Sequence, residues 1–363
     1  MNYLIPRSLS RKVVMTGVEY HNNHPGGISA VIQYWSNYID GLQFYPTYRE
    51  GTRAAKLLIF VYSYLRLLGR FIFDKKIKIV HVHTAAGSDF KRSAMVVNLA
   101  KFFHKKVILH SHASEFKVFY SNAEEGSRRR IVETLHKADI LIALSKSWKD
   151  WFTGIGVNPN KIIILHNITS YPQIQDPNRI ASLPIRFLFM GEIGQRKGVF
   201  DIIRALKHHK KELEGKIILR IGGNKNEHKL LAAINDAGLK EIVHFEGFVT
   251  GEKKNDLLNW ADVYILPSFN EGLPISILEA MSYGMPIISS PVGGIPEVVD
   301  NKNGILVTPG NDEEIFRAIR FYVDNINEIE SQGKESYMKV QTYLPDYVLN
   351  HLKQIYESLT AKN

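Results

Sequence analysis

Two glutamates, Glu271 and Glu279, are separated by seven residues in a segment that is otherwise apolar, NEGLPISILEAMSYG. The run DVYILP before them predicts a strand, so Glu271 falls in the loop that follows and Glu279 in the next predicted helix. Pro274 suits the first turn of that helix, where its missing N–H costs nothing. A buried carboxylate needs partners, and paired sugar or ribose hydroxyls would supply them. The pattern therefore predicts a site for a phosphate-linked polyol, completed by the Gly272 backbone and the helix start.

A second candidate site lies in the stretch MGEIGQRKGVFDIIRAL. A predicted strand ends at Gly191, and Arg196 and Lys197 directly precede Gly198 and a predicted helix. Two cations at a helix N-terminus oppose the helix dipole. The placement makes sense when an anion lies between them, with the guanidinium and the ammonium gripping a diphosphate. The alternative is a solvated basic turn.

Gly26 and Gly27 follow the first predicted strand and open a predicted helix. Paired glycines at a helix N-terminus let backbone N–H groups approach a phosphate closely. The GxGxxG spacing of dinucleotide sites is absent, so an ordinary tight loop explains the pair equally well.

Four histidines occur in two pairs, His81 with His83 and His110 with His112, each spaced two residues apart on a predicted strand. We expect the side chains of such a pair to point to opposite faces, and therefore not to share a metal ion. His112 lies nearest a carboxyl end and could face a ligand, although a single histidine at such a position more often has a structural role. A structural role is expected for His81 and His83.

The composition is that of a globular protein of two domains, because 363 residues exceed the size of one ordinary core. There is no cysteine, which excludes disulfides, thiolate metal sites and cysteine catalysis. No apolar run approaches 18 residues, and the first residues lack the pattern of a signal peptide. We therefore expect a cytoplasmic location.

The net charge of +10 suggests an anionic partner. Basic residues in 53–73 alternate with leucine, isoleucine, phenylalanine and tyrosine in a helical pattern. This segment is either a packed helix with a solvated basic edge or a basic amphipathic surface that rests on an anionic membrane. The triplet Arg128–Arg130 fits a solvated helix start better than a nucleic-acid site, so no nucleic-acid partner is expected.

Short β-branched runs alternate with helix-patterned segments along the whole chain, which predicts parallel sheets covered on both faces. The strand segments predicted are 13–18, 77–83, 106–112, 139–144, 161–167, 185–191, 216–223, 242–248, 262–267, 285–290 and 303–309. The pattern restarts after a proline-bearing polar stretch at 171–184, which is the expected linker. The prediction is an α/β protein with a first domain at 1–175, a second at 176–340, and a helix at 341–363 that packs back on the first. In such sheets ligands lie beyond the carboxyl ends of the strands.

The motifs together resemble the retaining glycosyltransferases of family 4. The resemblance rests on HPGG, VHVH, HSHASEF, ADILIALSKS, ILHN, GEIGQRKG, HFEGF, ADVYILPS, the two glutamates with seven residues between them, and NGILV, in the family's order along the chain. It implies the GT-B fold, in which two Rossmann-like doubly wound domains face each other across a cleft. The first domain would bind the acceptor and the second the nucleotide sugar.

The resemblance also implies roles for single residues. Glu271 would contact the donor sugar, Glu279 the ribose, and Arg196 and Lys197 the leaving diphosphate. His112 would contact the sugar near its C6 end or in the transition state. The remaining donor-binding positions implied are Gly26, Gly27, Gly191, Gly272 and Leu273.

The family often has an arginine at the position of Glu192, and Arg196 is expected to supply that charge instead. Neither a metal ion nor any other cofactor is expected, because these cations and a helix N-terminus meet the charge of the leaving group. The donor would be a UDP- or GDP-linked sugar, and the acceptor a glycan or lipid-linked saccharide of a surface polysaccharide. The segment 53–73 is the expected peripheral membrane contact.

Two alternatives remain open at this stage. The first is a GT-B sugar-nucleotide epimerase, which would use the same kind of site for another reaction. The second is a basic protein without catalysis that binds membrane or nucleic acid.

Overall fold

The computed structural model describes residues 3–21, 26–112, 114–172 and 180–361. The chain divides into two compact units: unit 1 comprises Met1–Ile168 and Pro345–Asn363, and unit 2 comprises Thr169–Leu344. The expected domain boundary at 175/176 and half of the expected linker 171–184 lie among residues 173–179, outside the described part. The chain returns to unit 1 at Pro345, where its last helix begins.

Unit 1 contains a parallel six-stranded sheet in the order β2-β1-β3-β4-β5-β6. Its strands are nearly all apolar because helices cover both faces of a parallel sheet. In the third strand every residue is buried. The strands are β1 (Val13–Val18), β2 (Phe44–Tyr48), β3 (Ile79–Thr84), β4 (Lys106–Ser111), β5 (Ile140–Ala143) and β6 (Ile162–Ile164).

The helices of unit 1 connect and cover these strands. They are α1 (Arg7–Ser10), α2 (Gly27–Ser36), α3 (Arg53–Phe73), α4 (Ser88–Phe102), α5 (Phe116–Ser121), α6 (Glu125–Lys137) and α7 (Lys146–Gly154). The helix α15 (Pro345–Ala361) contacts β3.

Unit 2 contains a second parallel six-stranded sheet, in the order β12-β11-β10-β7-β8-β9. Its strands are β7 (Ile185–Met190), β8 (Ile217–Gly222), β9 (Val243–Gly247), β10 (Val263–Leu266), β11 (Ile287–Ser289) and β12 (Gly304–Leu306). Its helices are α8 (Val199–His208), α9 (Lys210–Leu213), α10 (Glu227–Asp236), α11 (Gly251–Trp260), α12 (Ile275–Ser282), α13 (Asp312–Asp324) and α14 (Asn327–Val340).

The strand order of unit 2 reverses at β7. From β7 the chain adds β8 and β9 on one side, and then β10, β11 and β12 on the other. The loops after β7 and β10 therefore leave the sheet in different directions and open a crevice, the usual ligand position in a doubly wound sheet. Unit 1 has the corresponding reversal between β1 and β3.

The predicted fold class is confirmed: each of the eleven predicted strand segments contains a strand, and both sheets are parallel. One strand, β2, was missed. It contains Pro46 and lies at the edge of its sheet, where only β1 pairs with it. Proline is tolerated on an edge strand because the partnerless side needs no N–H donor. The same proline hides the strand from a sequence pattern.

Candidate functional site

Glu271 lies in the loop after β10, beside the reversal point of the sheet of unit 2. Its side chain is only 6% exposed. The carboxylate accepts hydrogen bonds from Nζ of Lys197 at 2.5 Å and from Oγ of Ser268 at 2.7 Å. A lysine from the loop after β7 thus holds a glutamate from the loop after β10. The structure brings these two predicted residues together.

A tight contact between the two loops creates this arrangement. Residues Gln195–Lys197 form a single 3₁₀ turn that ends at Gly198, whose φ of +74° lies in the left-handed region. A Cβ at Gly198 would collide with the carbonyl of Pro267. The N–H of Phe269 donates to the carbonyl of Arg196 at 2.8 Å. Only glycine allows the basic turn to approach the second loop so closely.

Arg196 is the second cation of this turn, and its Nη1 donates to the carbonyl of Asn270 at 3.3 Å. Its Nη2 lies 4.0 Å from Oε2 of Glu192, which also pairs with Nζ of Lys225 at 3.0 Å. Glu192, at the position where the family resemblance implied an arginine, pairs with two cations beyond the end of β7. The sequence analysis did not predict Lys225 as its partner.

Glu279 lies in the second turn of α12 and is 7% exposed. Its Oε1 accepts a hydrogen bond from Nζ of Lys254 at 2.6 Å. Lys254 belongs to α11, and sequence reasoning missed it. The only signal in the sequence is a lysine pair in the first turn of a predicted helix, which resembles any solvated helix start.

The remaining predicted positions of unit 2 shape the backbone around these side chains. The carbonyl of Gly272 accepts from the N–H of Gly294 at 2.7 Å, and Leu273 is buried. A Cβ at Gly293 would collide with the carbonyl of Glu271. At the end of β7, the N–H of Gly191 donates to the carbonyl of Gly222 at 3.0 Å. The loop that carries Glu271 is therefore fixed from several sides.

In unit 1, the predicted glycine pair begins α2. Gly26 precedes the helix with a φ of +147°, and Gly27 is its first residue. Both glycines are exposed. Residues 22–25, which include the preceding histidine and proline of the HPGG motif, lie outside the described part of the chain.

His81, His83, His110 and His112 form one cluster, which we call the imidazole block. Nε2 of His81 lies 3.3 Å from Nδ1 of His110, and Nδ1 of His83 lies 2.9 Å from Nε2 of His112. The two hydrogen-bonded pairs stack on each other, with ring centroids 4.6 Å apart for His81 and His83 and 4.0 Å apart for His110 and His112. The expectation that residues two apart face opposite sides was wrong, because side-chain direction in a strand has a period of two and such residues share a face.

The ligand atoms of His81, His83 and His110 lie within 4.8 Å of one another, close enough to raise the question of a metal ion. The rings of His81 and His83 are parallel to within 1°. A metal ion lies in the plane of each imidazole that binds it, about 2.0–2.1 Å from the nitrogen. Two stacked parallel rings cannot both direct a lone pair at one ion, so the geometry favours a packed, hydrogen-bonded block.

The imidazole block is electrically neutral. Burial lowers the pKa of His81 and of His112 to about 3, and it holds the pKa values of His83 and His110 well below the usual range. The hydroxyl of Tyr356 on α15 lies 2.7 Å from Nδ1 of His81. His112, the predicted ligand-facing residue, follows the last residue of β4, and its ring bonds with His83 and with the side chain of Asn167.

Comparisons with known proteins show the family and the fold of this chain. The family model described as Glycosyltransferase Family 4 matches residues 36–169, and the model described as Glycosyl transferases group 1 matches residues 170–338. An uncharacterized glycosyltransferase of Methanocaldococcus jannaschii is 30% identical over 273 residues, which are 71% of this chain and 69% of that relative. The chain belongs to the family 4, group 1 glycosyltransferases.

Other relatives of this glycosyltransferase match smaller parts of it. The amylovoran biosynthesis glycosyltransferase AmsK of Erwinia amylovora is 29% identical over 209 residues, which are 53% of this chain and 51% of AmsK. The matched region thus spans about half of that relative.

Solved structures show the fold of the glycosyltransferase along almost its whole length. HepE of Anabaena, crystallised with UDP and glucose, aligns with a TM-score of 0.73 at 15% identity over 96% of this chain and 99% of HepE. Sucrose-phosphate synthase of Thermosynechococcus elongatus aligns with a TM-score of 0.77 at 18% identity over 97% of this chain and 100% of that chain. The predicted GT-B fold and the predicted family are confirmed.

Proposed function

We propose that this glycosyltransferase moves a hexose-type unit from a UDP- or GDP-linked sugar to an acceptor hydroxyl and retains the anomeric configuration. One observation carries the proposal: Glu271 and Glu279 are both buried and both paired with a lysine, the first in the loop after β10 and the second in α12, the helix that follows this loop. A carboxylate in such a place is preorganised to accept hydrogen bonds from hydroxyl groups. UDP in the aligned HepE structure supports a nucleotide donor of this kind.

In the proposed reaction each residue has a separate task. Glu279 accepts hydrogen bonds from the ribose hydroxyls, and Glu271 holds the hydroxyls of the transferred sugar. Arg196 and Lys197 bind the diphosphate and stabilise the charge that develops on it, an electrostatic role that needs no metal ion. The backbone of Gly191, Gly272 and Leu273 lies against the donor. We also propose, from the family resemblance, that Gly26 and Gly27 approach the diphosphate and that His112 contacts the sugar.

The bond changes follow from retention of configuration. The bond between the anomeric carbon and the phosphate oxygen breaks, and the acceptor oxygen bonds to the same face of the sugar. The hydroxyl proton of the acceptor passes to the leaving phosphate oxygen. Glu271 supports the oxocarbenium-like transition state without forming a covalent bond.

We propose a lipid-linked or growing surface polysaccharide as the acceptor. AmsK is described as an enzyme of amylovoran biosynthesis, which supports this class. No helix among the described residues is both long and apolar enough to cross a bilayer. We propose that the helix α3 contacts the membrane that carries such an acceptor.

The outer face of α3 is apolar, whereas a surface helix normally turns polar residues outward. Leu57, Leu58 and Leu65 are 63%, 68% and 58% exposed, and Phe73 at the end of the helix is 85% exposed. Exposed basic residues surround this face, among them Arg53, Arg66, Lys75 and Lys76. An apolar face with a basic rim fits the interface of an anionic bilayer. The packed-helix alternative accounts only for the opposite face, where Phe60, Leu67 and Phe71 are buried.

The proposed function is tested by thermal unfolding of the protein with UDP, GDP and ADP at millimolar concentration. A nucleotide present at about 100 times its dissociation constant stabilises the folded state by about 2.7 kcal/mol. We expect UDP or GDP to raise the unfolding temperature. The absence of a shift with all three nucleotides would contradict the proposal.

A further inference from the structure

Lys254 is a basic residue in an unfavourable place. It lies in the first turn of α11, where the positive end of the helix dipole opposes a cation. Its side chain is 26% exposed, and its Nζ lies 2.6 Å from Oε1 of Glu279. The adjacent Lys253 is 52% exposed and pairs with Glu246 at 3.1 Å. Two neighbouring lysines thus differ sharply: one is solvated, and the other reaches a buried carboxylate.

The two glutamates of the motif are held in the same way. Lys197 from the loop after β7 holds Glu271, and Lys254 from α11 holds Glu279. Each lysine comes from an element other than that of its glutamate. A nearly buried carboxylate requires a charged or hydrogen-bonding partner, and a partner at one oxygen also fixes the plane of the carboxylate.

We propose that Lys254 is a positioning and specificity-determining residue of the donor site. It fixes the Glu279 carboxylate so that the carboxylate accepts hydrogen bonds from both ribose hydroxyls, and it thereby selects a ribonucleotide over its 2′-deoxy form. The inference rests on the proposed function, because it assigns the nucleotide to Glu279. A site built to bind a hydroxyl rejects the analogue that lacks it, since a buried polar group is then left without its partner.

Lys254 also sets the charge of the donor site. Arg196 and Lys225 pair with Glu192, Lys197 pairs with Glu271 and Lys254 pairs with Glu279, so these ion pairs contain four positive and three negative charges. The set has a net charge of +1 with Lys254 and of zero without it. A diphosphate therefore loses one attractive charge when Lys254 is replaced by a neutral residue.

The test compares Lys254→Met with Lys253→Met as the matched control, by calorimetric titration with UDP, GDP and ADP and with the 2′-deoxy form of the nucleotide that binds best. We expect Lys254→Met to weaken binding of the ribonucleotide by about tenfold or more, and a tenfold loss of affinity corresponds to about 1.4 kcal/mol. In this variant we expect the affinity for the ribonucleotide to exceed that for its 2′-deoxy form by less than about threefold. The nucleotide affinity of Lys253→Met should stay within about twofold of that of the parent protein. Lys254→Arg keeps the charge at the carboxylate and should restore most of the affinity. Thermal unfolding of each variant without nucleotide shows whether it is folded.

The outcomes separate this inference from the proposed function. If the parent protein binds none of the three nucleotides, both are overturned. If the parent protein binds one and Lys254→Met binds it like Lys253→Met, the role of Lys254 is overturned while the proposed function stands. If Lys254→Met lost the same factor of affinity for the ribonucleotide and for its 2′-deoxy form, this would also contradict the positioning role.

Discussion

At the scale of single residues, the central feature is the pair of lysine-held glutamates. Glu271 and Glu279 have the same residue type, similar burial and the same kind of partner, yet they lie on a loop and on a helix. The proposed function gives them different tasks, one at the sugar and the other at the ribose. Substitutions can separate these tasks, because nucleotide affinity and turnover are measured independently.

We predict that Glu279→Ala weakens nucleotide binding by roughly 10- to 100-fold, since a hydrogen bond to a charged group contributes about 1.5–3 kcal/mol. Glu271→Ala should instead lower kcat by roughly 10²–10³, in the range for a lost electrostatic contact to the transition state. Calorimetry and donor turnover measure the two quantities. The exposed Glu227 of α10 provides a control, and Glu227→Ala should change neither. Equal effects of both substitutions on affinity alone would exclude this division of roles.

The sequence was sufficient to predict some of these residues and insufficient for others. Glu271, Arg196 and Lys197 directly follow recognisable strands, so a local pattern places them at the carboxyl edge. Lys254 was missed because its partner lies 25 residues further along the chain and on another helix. Its role depends on how α11 and α12 pack, which no local pattern encodes.

At the scale of elements, β3 and β4 carry the imidazole block. In the unfolded chain a histidine has a pKa near 6.5, whereas burial lowers the pKa of His81 and His112 to about 3 in the folded protein. The unfolded state therefore binds more protons between these values. The part of the folding stability that depends on these neutral histidines is fully present above about pH 6.5 and is lost as the pH decreases towards 3.

We predict that each of these histidines lowers the free energy of unfolding by up to about 1.4 kcal/mol per pH unit below 6.5. Urea unfolding between pH 7 and 4.5 checks this, with tryptophan fluorescence as the probe; Trp35, one of the four tryptophans, packs against three rings of the block. His110→Gln removes one buried imidazole and should reduce the slope. His136→Gln, at an exposed position on α6, should leave it unchanged. If the free energy of unfolding of the parent protein did not vary with pH in this range, the claim that the imidazole block is neutral would be refuted.

The helix α3 allows a second prediction at this scale. The parent protein should cosediment with vesicles that contain phosphatidylglycerol, and Leu58→Glu with Leu65→Glu should weaken this binding by about tenfold or more, because a buried leucine contributes about 1.5–3 kcal/mol. Phe102→Glu, at the end of α4, replaces a side chain that is 76% exposed and serves as the control. A parent protein that stays in the supernatant, or a control that weakens binding equally, would refute the membrane role of α3.

The elements also show what the sequence could not predict. The periodicity of 53–73 correctly predicted a helix, but it could not show which face is buried, because apolar residues lie on both faces. The sheet decides this by covering Phe60, Leu67 and Phe71. His81, His83 and His110 were placed on their strands correctly, whereas His112 lies one residue beyond the end of β4, and the assignment of faces was wrong.

At the scale of the whole molecule, each unit is a parallel doubly wound sheet with a reversal point, and Arg196, Lys197 and Glu271 of unit 2 lie on the two loops that flank its reversal. Alternation of strands and helices was sufficient to predict this architecture, because the strands are short and rich in apolar residues. The net charge of +10 is favourable for the anionic donor and the anionic membrane surface that we propose as partners.

The central claim is that the glycosyltransferase turns over a nucleotide sugar at Glu271 with retention of configuration. The most direct test is a proton NMR time course of a panel of UDP- and GDP-linked α-hexoses, recorded with the parent protein and with Glu271→Ala. We predict that the parent protein releases nucleoside diphosphate from one donor, that the sugar first appears as the α anomer, and that Glu271→Ala nearly abolishes this. A β anomer as the first product, or a rate unaffected by the substitution, would contradict the account.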